Sequence, residues 1–338
     1  MPVGDGSGAI ALEVNQTPGL EWQLLSRAGA RIGSVGAWQG EIFPQSSGYF
    51  VEEGSSGGPN ASPSYVGVTQ SGAETGRLQT YGRPIPLAGP NGRLLLVGPL
   101  SLATDTPQRQ TAMLLDEGAR VLWGPRALGL QSNVFGGGLD LQGRALVIQD
   151  GSSTFGSDSI AAQWFDLDGT PMGDPFELIG NFSPGKSTWF ETSPLIGGGL
   201  AVRRMDITFD SSGISNGVAS EWLAVLTSGS LQPDKVPSWL QSRPNTSLHV
   251  VRSVTAYATT PWGADVGECA QQVELLSPAG NSCGSLALSI DSASCRTRDL
   301  RMGLDGTLLQ MLPLDHEHQI GTTDGRTCTL RFWPGALH

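Results

Sequence analysis

The sequence predicts an all-β fold assembled from repeated four-stranded antiparallel units, and three observations predict it. Gly and Pro are abundant, with 47 and 22 copies in 338 residues, and so many breakers leave no room for long helices. An apolar alternating segment that runs into a polar turn ending in Gly recurs six times. A second kind of turn, Gly or Asn-Gly followed at once by an apolar strand, alternates with the first, which is the mark of successive hairpins.

The first series runs through EWQLLSRAG ending at Gly29, YVGVTQSG at Gly72, TAMLLDEG at Gly118, AQWFDLDG at Gly169, WLAVLTSG at Gly229 and VELLSPAG at Gly280. Four positions before the glycine stand Leu25, Val68, Leu114, Phe165, Val225 and Leu276, an apolar column in a shared register. The second series falls near Gly6, Gly48, Gly92, Gly143, Gly198, Asn245 and Gly306. Two hairpins per repeat give four short strands in about 50 residues, the size of a β-propeller blade. A last outer turn near residue 335 completes two series of seven. Seven blades are therefore favoured, with six as the alternative, in one domain over residues 1–338. The first unit lacks a clear first strand and the last lacks room for a fourth, which suits ring closure by strands from both ends.

The segment SIAAQWFDLDGTPMGDPFEL (Ser159–Leu178) resembles the blade unit of bacterial secreted repeat proteins. In that unit an Ile-x-x-x-x-Phe-Asp-x-Asp-Gly-x-Pro-x-Gly-x-x-Phe hairpin follows a Gly-Gly-x-x-Val strand. PLIGGGLAVRR (Pro194–Arg204) is similar to that preceding strand for the next unit. The resemblance covers the third to fifth units and implies a propeller of the kind found in large bacterial exoproteins. It implies no activity, because blades of this type serve many functions.

Charge narrows the partners. The formal net charge is −11, and a phosphate-binding surface needs clustered cations to release counterions. Arg203-Arg204 and Arg296/Arg298/Arg301 are the nearest approaches to a cluster, so neither nucleic acid nor an anionic membrane is expected as a partner. The longest apolar run lies around Leu94–Val97, far short of the roughly 20 residues a spanning helix needs. All four cysteines, Cys269, Cys283, Cys295 and Cys328, fall in the last quarter, without the short Cys-x₂₋₄-Cys spacing of zinc sites. They read as two disulfides in an oxidising compartment: Cys269–Cys283 and Cys295–Cys328, with Cys283–Cys295 and Cys269–Cys328 as the competing pairing. Met1–Gly8 has neither the charged start nor the apolar stretch of a secretion signal. A secreted, periplasmic or surface location is thus inferred from the cysteines alone.

Candidate chemistry is sparse. In Asp315-His316-Glu317-His318, a strand would put His316 and His318 on one face, where two imidazoles could share a metal. The plainer reading is a solvated loop, and no strongly bound zinc, calcium or other cofactor is expected. Asp166-Leu167-Asp168-Gly169 lacks the further oxygens of a calcium loop and reads as turn chemistry. Among nine tryptophans, Trp22, Trp164 and Trp222 hold near-equivalent repeat positions and read as packing between units. Trp38, Trp239 and Trp262 lie in Gly/Pro-flanked connections, where an exposed ring could stack on a sugar. No Gly-x-Ser-x-Gly elbow supports a nucleophile, His249 reads as a strand residue, and Asp265 with Glu268 is the nearest local carboxylate pair. The expectation is a non-catalytic module that presents a glycan or an extracellular protein with a binding surface. Its rival is a propeller hydrolase or lyase acting on an extracellular polysaccharide. Polar groups converging at the channel mouth would separate the two: paired carboxylates or histidines for an enzyme, aromatics and amides for a binder.

Overall fold

The computed structural model describes residues 2–16, 19–35, 41–54, 62–103, 109–180, 188–209, 215–251, 254–261, 271–288, 300–312 and 329–333. The chain is all-β, and the helices in the described residues are two single turns, α1 (Ser152–Phe155) and α2 (Ser238–Gln241). The first meander is β1 (Pro2–Gly4), β2 (Ile10–Gln16), β3 (Gly19–Leu25) and β4 (Arg31–Val35). The second is β5 (Ile42–Pro44), β6 (Tyr49–Glu53), β7 (Ser64–Val68) and β8 (Glu74–Gln79). The third is β10 (Ile85–Ala88), β11 (Leu94–Ser101), β12 (Arg109–Leu115) and β13 (Val121–Ala127), with the two-residue β9 (Tyr81–Gly82) also on β11.

The fourth meander, β14 (Val134–Leu139), β15 (Ala145–Asp150), β16 (Ile160–Phe165) and β17 (Phe176–Ile179), shares a seven-stranded sheet with the fifth. The fifth is β18 (Thr188–Pro194), β19 (Leu200–Phe209) and β20 (Ser215–Leu226). The sixth is β21 (Thr246–Val251), β22 (Ala256–Pro261), β23 (Gln271–Leu276) and β24 (Ser282–Leu288), and the seventh is β25 (Leu300–Met302), β26 (Leu308–Leu312) and β27 (Thr329–Trp333). Every pairing inside a meander is antiparallel.

The turns explain this regularity. In most turns of both series the loop has five residues: the first N–H bonds the fifth carbonyl, and the fourth N–H bonds the first carbonyl. Examples are Ser26–Ala30, Thr69–Ala73, Gly89–Arg93, Asp140–Arg144, Ser277–Asn281 and Gly303–Thr307. The fourth residue must take positive φ, hence Gly29, Gly72, Gly92, Gly143, Gly280 and Gly306. The first residue is often Ser, Thr or Asp, because its side-chain oxygen accepts the fifth amide, as in Asp140 Oδ1 from Arg144 at 2.9 Å.

The turn pattern misplaces three details. In DEGAR the left-handed position falls on Ala119 at φ 55°, one residue beyond Gly118, because Asp116 opens the five-residue loop. Asn245 precedes β21 and is no hairpin turn; the inner turn of the sixth meander is the β21–β22 connection, where Thr255 has φ 49°. The first meander keeps its own first strand, β1 on β2, so its sheet borrows no strand from the other end of the chain. The described residues also form six hydrogen-bonded sheets where separate units predicted seven. The fourth and fifth meanders merge at the parallel contact of Gly136 with Phe190. The run Gly136-Gly137-Gly138 permits that approach: a Cβ at Gly136 would sit 2.4 Å from the Phe190 carbonyl oxygen.

Six apolar clusters hold the meanders together, each shared by consecutive ones. Strand parity assigns the side chains. Leu94 and Leu96 pack toward Phe50 and Tyr65 of the second meander. Leu95 and Val97 pack toward Ala145, Val147 and Phe165 of the fourth. Because both faces are covered, Leu94–Val97 is a continuous apolar run rather than an alternating one. Trp22, Trp164 and Trp222 are all buried in such clusters, as expected.

Candidate functional site

The first strands of the second to seventh meanders line a cavity of about 990 Å³. Turn-to-turn bonds put the inner turns of neighbouring meanders at one end, as between Ser46 and Asn91 and between Asn91 and Leu141. The cavity wall there is Gly89, Pro90, Leu139, Pro194 and Leu304. The other end, where the first strands begin, carries Glu41, Phe135, Trp189 and Ser247. Polar chemistry is therefore gathered at the strand-entry end.

Its best organised feature spans three strands of the fifth meander. Glu191 on β18 is directly opposite Arg203 on β19, which is opposite Trp222 on β20. The Arg203 side chain is 2% exposed, and its Nη2 donates to Glu191 Oε2 at 2.5 Å. The same guanidinium donates to the Thr246 carbonyl and to Ser247 Oγ, and lies 5.2 Å from the Trp222 ring centroid. Burying a cation is costly unless carboxylate and hydrogen bonds compensate it, and here both do. The Glu191 side chain stays 40% exposed and also accepts from Trp189 Nε1 at 3.5 Å. Thr192 Oγ1 donates to the Gly137 carbonyl at 3.0 Å. His249 lies on β21, as its sequence context implied, and shares a 3.0 Å hydrogen bond with Thr260 Oγ1.

Beside the cavity, Glu52 on β6 donates its backbone N–H to the Glu41 carbonyl. Burial, reinforced by the charge of Glu41 and opposed by Arg83, pushes the Glu52 carboxyl above the usual carboxylate range. No group of three or more His, Cys, Asp or Glu able to hold a metal occurs among the described residues.

The candidates from sequence are scattered. Trp239 is on α2, half-buried, with its ring stacked on Tyr257 at 5.5 Å. It also touches the turn at Gly280, where a Cβ would come within 2.1 Å of Trp239 Cγ. A ring so engaged packs the fifth meander on the sixth. Trp38, Trp262, His316, His318, Cys269, Cys295 and Cys328 lie outside the described residues, as do Asp265 and Glu268.

Cys283 is exposed and forms no bridge among the described residues; its expected partner Cys269 lies outside them.

Sequence reasoning missed Trp189, Glu191 and Arg203 as a group. A usable signal was there: Arg203 interrupts the apolar segment Leu200–Met205 at a buried position, which demands an internal anion. Asp166 and Asp168 serve turn and surface roles, as expected: Asp166 accepts from Arg144 Nε at 3.2 Å, and Asp168 accepts the Thr170 amide at 2.8 Å.

No known family model matches the sequence, and no characterised protein matches it. Solved structures do. Prolyl oligopeptidase B from Galerina marginata, bound to a 35mer hydrolysis and macrocyclization substrate, aligns with 93% of this chain at 9% identity and a TM-score of 0.50. A prolyl endopeptidase aligns with 99% of it at 15% identity and a TM-score of 0.49. TolB from Acinetobacter baumannii aligns with 84% of it and 65% of its own chain, at 13% identity and a TM-score of 0.35. The chain spans less than half the length of either peptidase, 46% in each case. At such identity the likeness concerns fold alone. The first match, together with the succession of packed antiparallel meanders, makes this an all-β protein of the β-propeller class. No helix among the described residues is long and apolar enough to cross a membrane.

Proposed function

We propose that residues 1–338 form one propeller of seven blades acting as a non-catalytic binding module, secreted or surface-associated, that receives a glycan or an extracellular protein at its central cavity. The observation that carries this reading is the make-up of the strand-entry end. It offers an aromatic ring (Trp189), a hydroxyl (Ser247) and a carboxylate (Glu191) already committed to a buried arginine. Concave sites with a few fixed polar groups on apolar walls suit binding. A general acid–base pair would need two carboxylates free to exchange protons, and the Glu191 charge is neutralised by Arg203. Support for a ring comes from β1, which lies against β25 of the seventh meander, with Gly4 set closely on Gly303. Secretion rests on the cysteines, with Cys269–Cys283 and Cys295–Cys328 as the proposed bridges and Cys283–Cys295 with Cys269–Cys328 as the competing pairing; peptide mapping without reduction tests them.

The test of the module is a glycan array run beside polysaccharide-degradation assays on the full chain. Saturable binding without turnover is expected. Turnover abolished by substitutions in the cavity would instead establish the rival, a propeller hydrolase or lyase.

A further inference from the structure

We propose that the central cavity binds an extended polypeptide segment, which adds as a further strand to the cavity-facing edge of β21. This rests on the reading of the cavity as a binding site and names its ligand class. The wall is built from unbroken runs of the first strands, residues 85–90, 135–139, 189–194 and 247–250. Successive side chains of a strand point to opposite faces. Consecutive residues on one wall therefore mean that these strands turn their backbone edges to the cavity. In an antiparallel pair alternate residues direct N–H and C=O at the partner strand, and the residues between direct theirs away. The Thr246 carbonyl accepts from Arg203 of the preceding meander, so it is turned away from β22. Leu248 and Val250, at steps of two along β21, are turned the same way. Among the described residues β21 pairs with β22 alone, and no other backbone bond engages Leu248 or Val250. Their N–H and C=O groups thus line the cavity edge at a spacing of about 6.8 Å.

The other lining strands are closed to such an addition. On β10 the turn bond from the Gly89 amide to Arg93 sets the parity, which places Pro86 at a cavity-facing position. On β18 the bond from the Leu195 amide to Gly199 does the same for Pro194. Proline has no N–H to offer, and proline on an edge blocks strand addition. The β14 edge is occupied, with Gly136 paired to Phe190 and the Gly137 carbonyl accepting from Thr192 Oγ1. Strands β5 and β25 have three residues each. Strand β21 runs six residues, Thr246–Val251, without a proline. Donors and acceptors alternating at strand spacing match the main chain of an extended peptide, whose backbone bonds supply the affinity in strand addition. A chain of sugar hydroxyls does not repeat that pattern.

Titration calorimetry on the full chain tests this with the capped peptide acetyl-Thr-Val-Thr-Val-Thr-amide and the same peptide N-methylated at all five residues. The parent should bind, and the methylated form should bind at least about tenfold more weakly, since its side chains remain and its donors are gone. Val250→Pro removes one cavity-facing N–H without touching the ladder to β22, as Pro86 and Pro194 do on their own strands. It should weaken the parent peptide about tenfold. Val250→Ala makes a similar loss of side-chain packing but keeps the N–H, and it should bind within about threefold of wild type. Should circular dichroism show Val250→Pro unfolded, the methylated peptide decides. No binding of the parent, equal binding of the two peptides, a folded Val250→Pro that binds normally, or a Val250→Ala loss as large as that of Val250→Pro would each overturn the inference. Saturable glycan binding without peptide binding overturns it and leaves the module reading standing. Cleavage of the peptide removes the module reading and this inference with it.

Discussion

The interface between the third and fourth meanders differs from that between the fifth and sixth in how the gap is filled. The former is built of Leu95, Val97, Leu114, Trp123, Val147 and Phe165, with the Trp123 and Phe165 rings stacked at 5.8 Å. Among the described residues the latter has no full fourth strand on β20, whose outer edge is met at the bridge of Val225 with Asp234. Helix α2 wedges Leu240 into the space, and polar contacts join the apolar cluster there: Arg203 to Thr246 and Ser247, Arg243 to Glu274 at 2.8 Å, and the Ile196 amide to the Tyr257 hydroxyl at 2.8 Å. Apolar packing is non-directional and tolerates repetition, whereas buried hydrogen bonds bind only the partners they were built for. The polar interface is also the one that delivers Arg203, and through it Glu191, to the cavity.

The sharpest break in that comparison comes from Leu114→Ala. A cavity in the dry interface should cost about 3 kcal/mol, seen as a lower denaturant midpoint at unchanged slope. In the polar interface Glu191→Ala should cost about 2 kcal/mol. That is below the usual 3–5 for breaking a buried pair, because water reaches the half-exposed Glu191 side. Arg203→Met should fall within about 1 kcal/mol of wild type, so that stability and cavity chemistry separate; a loss as large as for Leu114→Ala would show that Arg203 is chiefly a packing residue.

Turn chemistry supplies a smaller pair. Gly280→Ala places a Cβ against Trp239 at positive φ and should cost about 1.5 kcal/mol. Ala119→Gly relieves the same backbone conformation where no Gly is present and should gain about 0.5 kcal/mol, after the greater freedom of the unfolded chain is counted. Thermal melts of the two variants side by side decide it. Smallest is Glu52→Gln. Because burial raises the Glu52 carboxyl in the folded state, its contribution is complete below its ordinary value of 4.5 and lost as pH rises through the raised one. The variant should therefore be more stable than wild type at neutral pH, with the advantage vanishing on acidification.

The sequence alone determined what depends on neighbours in the chain. Strand alternation, the five-residue turns and their glycines are set by local φ, ψ and hydrogen bonding, so the hairpins could be read directly. Even the continuous run Leu94–Val97 disclosed a strand covered on both faces. What the tertiary structure decided involves groups far apart in sequence. Glu191, Arg203 and Trp222 meet only because β18, β19 and β20 pair in one register, and Ser247 joins them from the next meander. Trp239 reads as a free ring in a Pro-flanked connection until α2 is packed on Tyr257 and Gly280. Burial of a charge is likewise settled by every surface that closes over it, and no local stretch of chain holds that information.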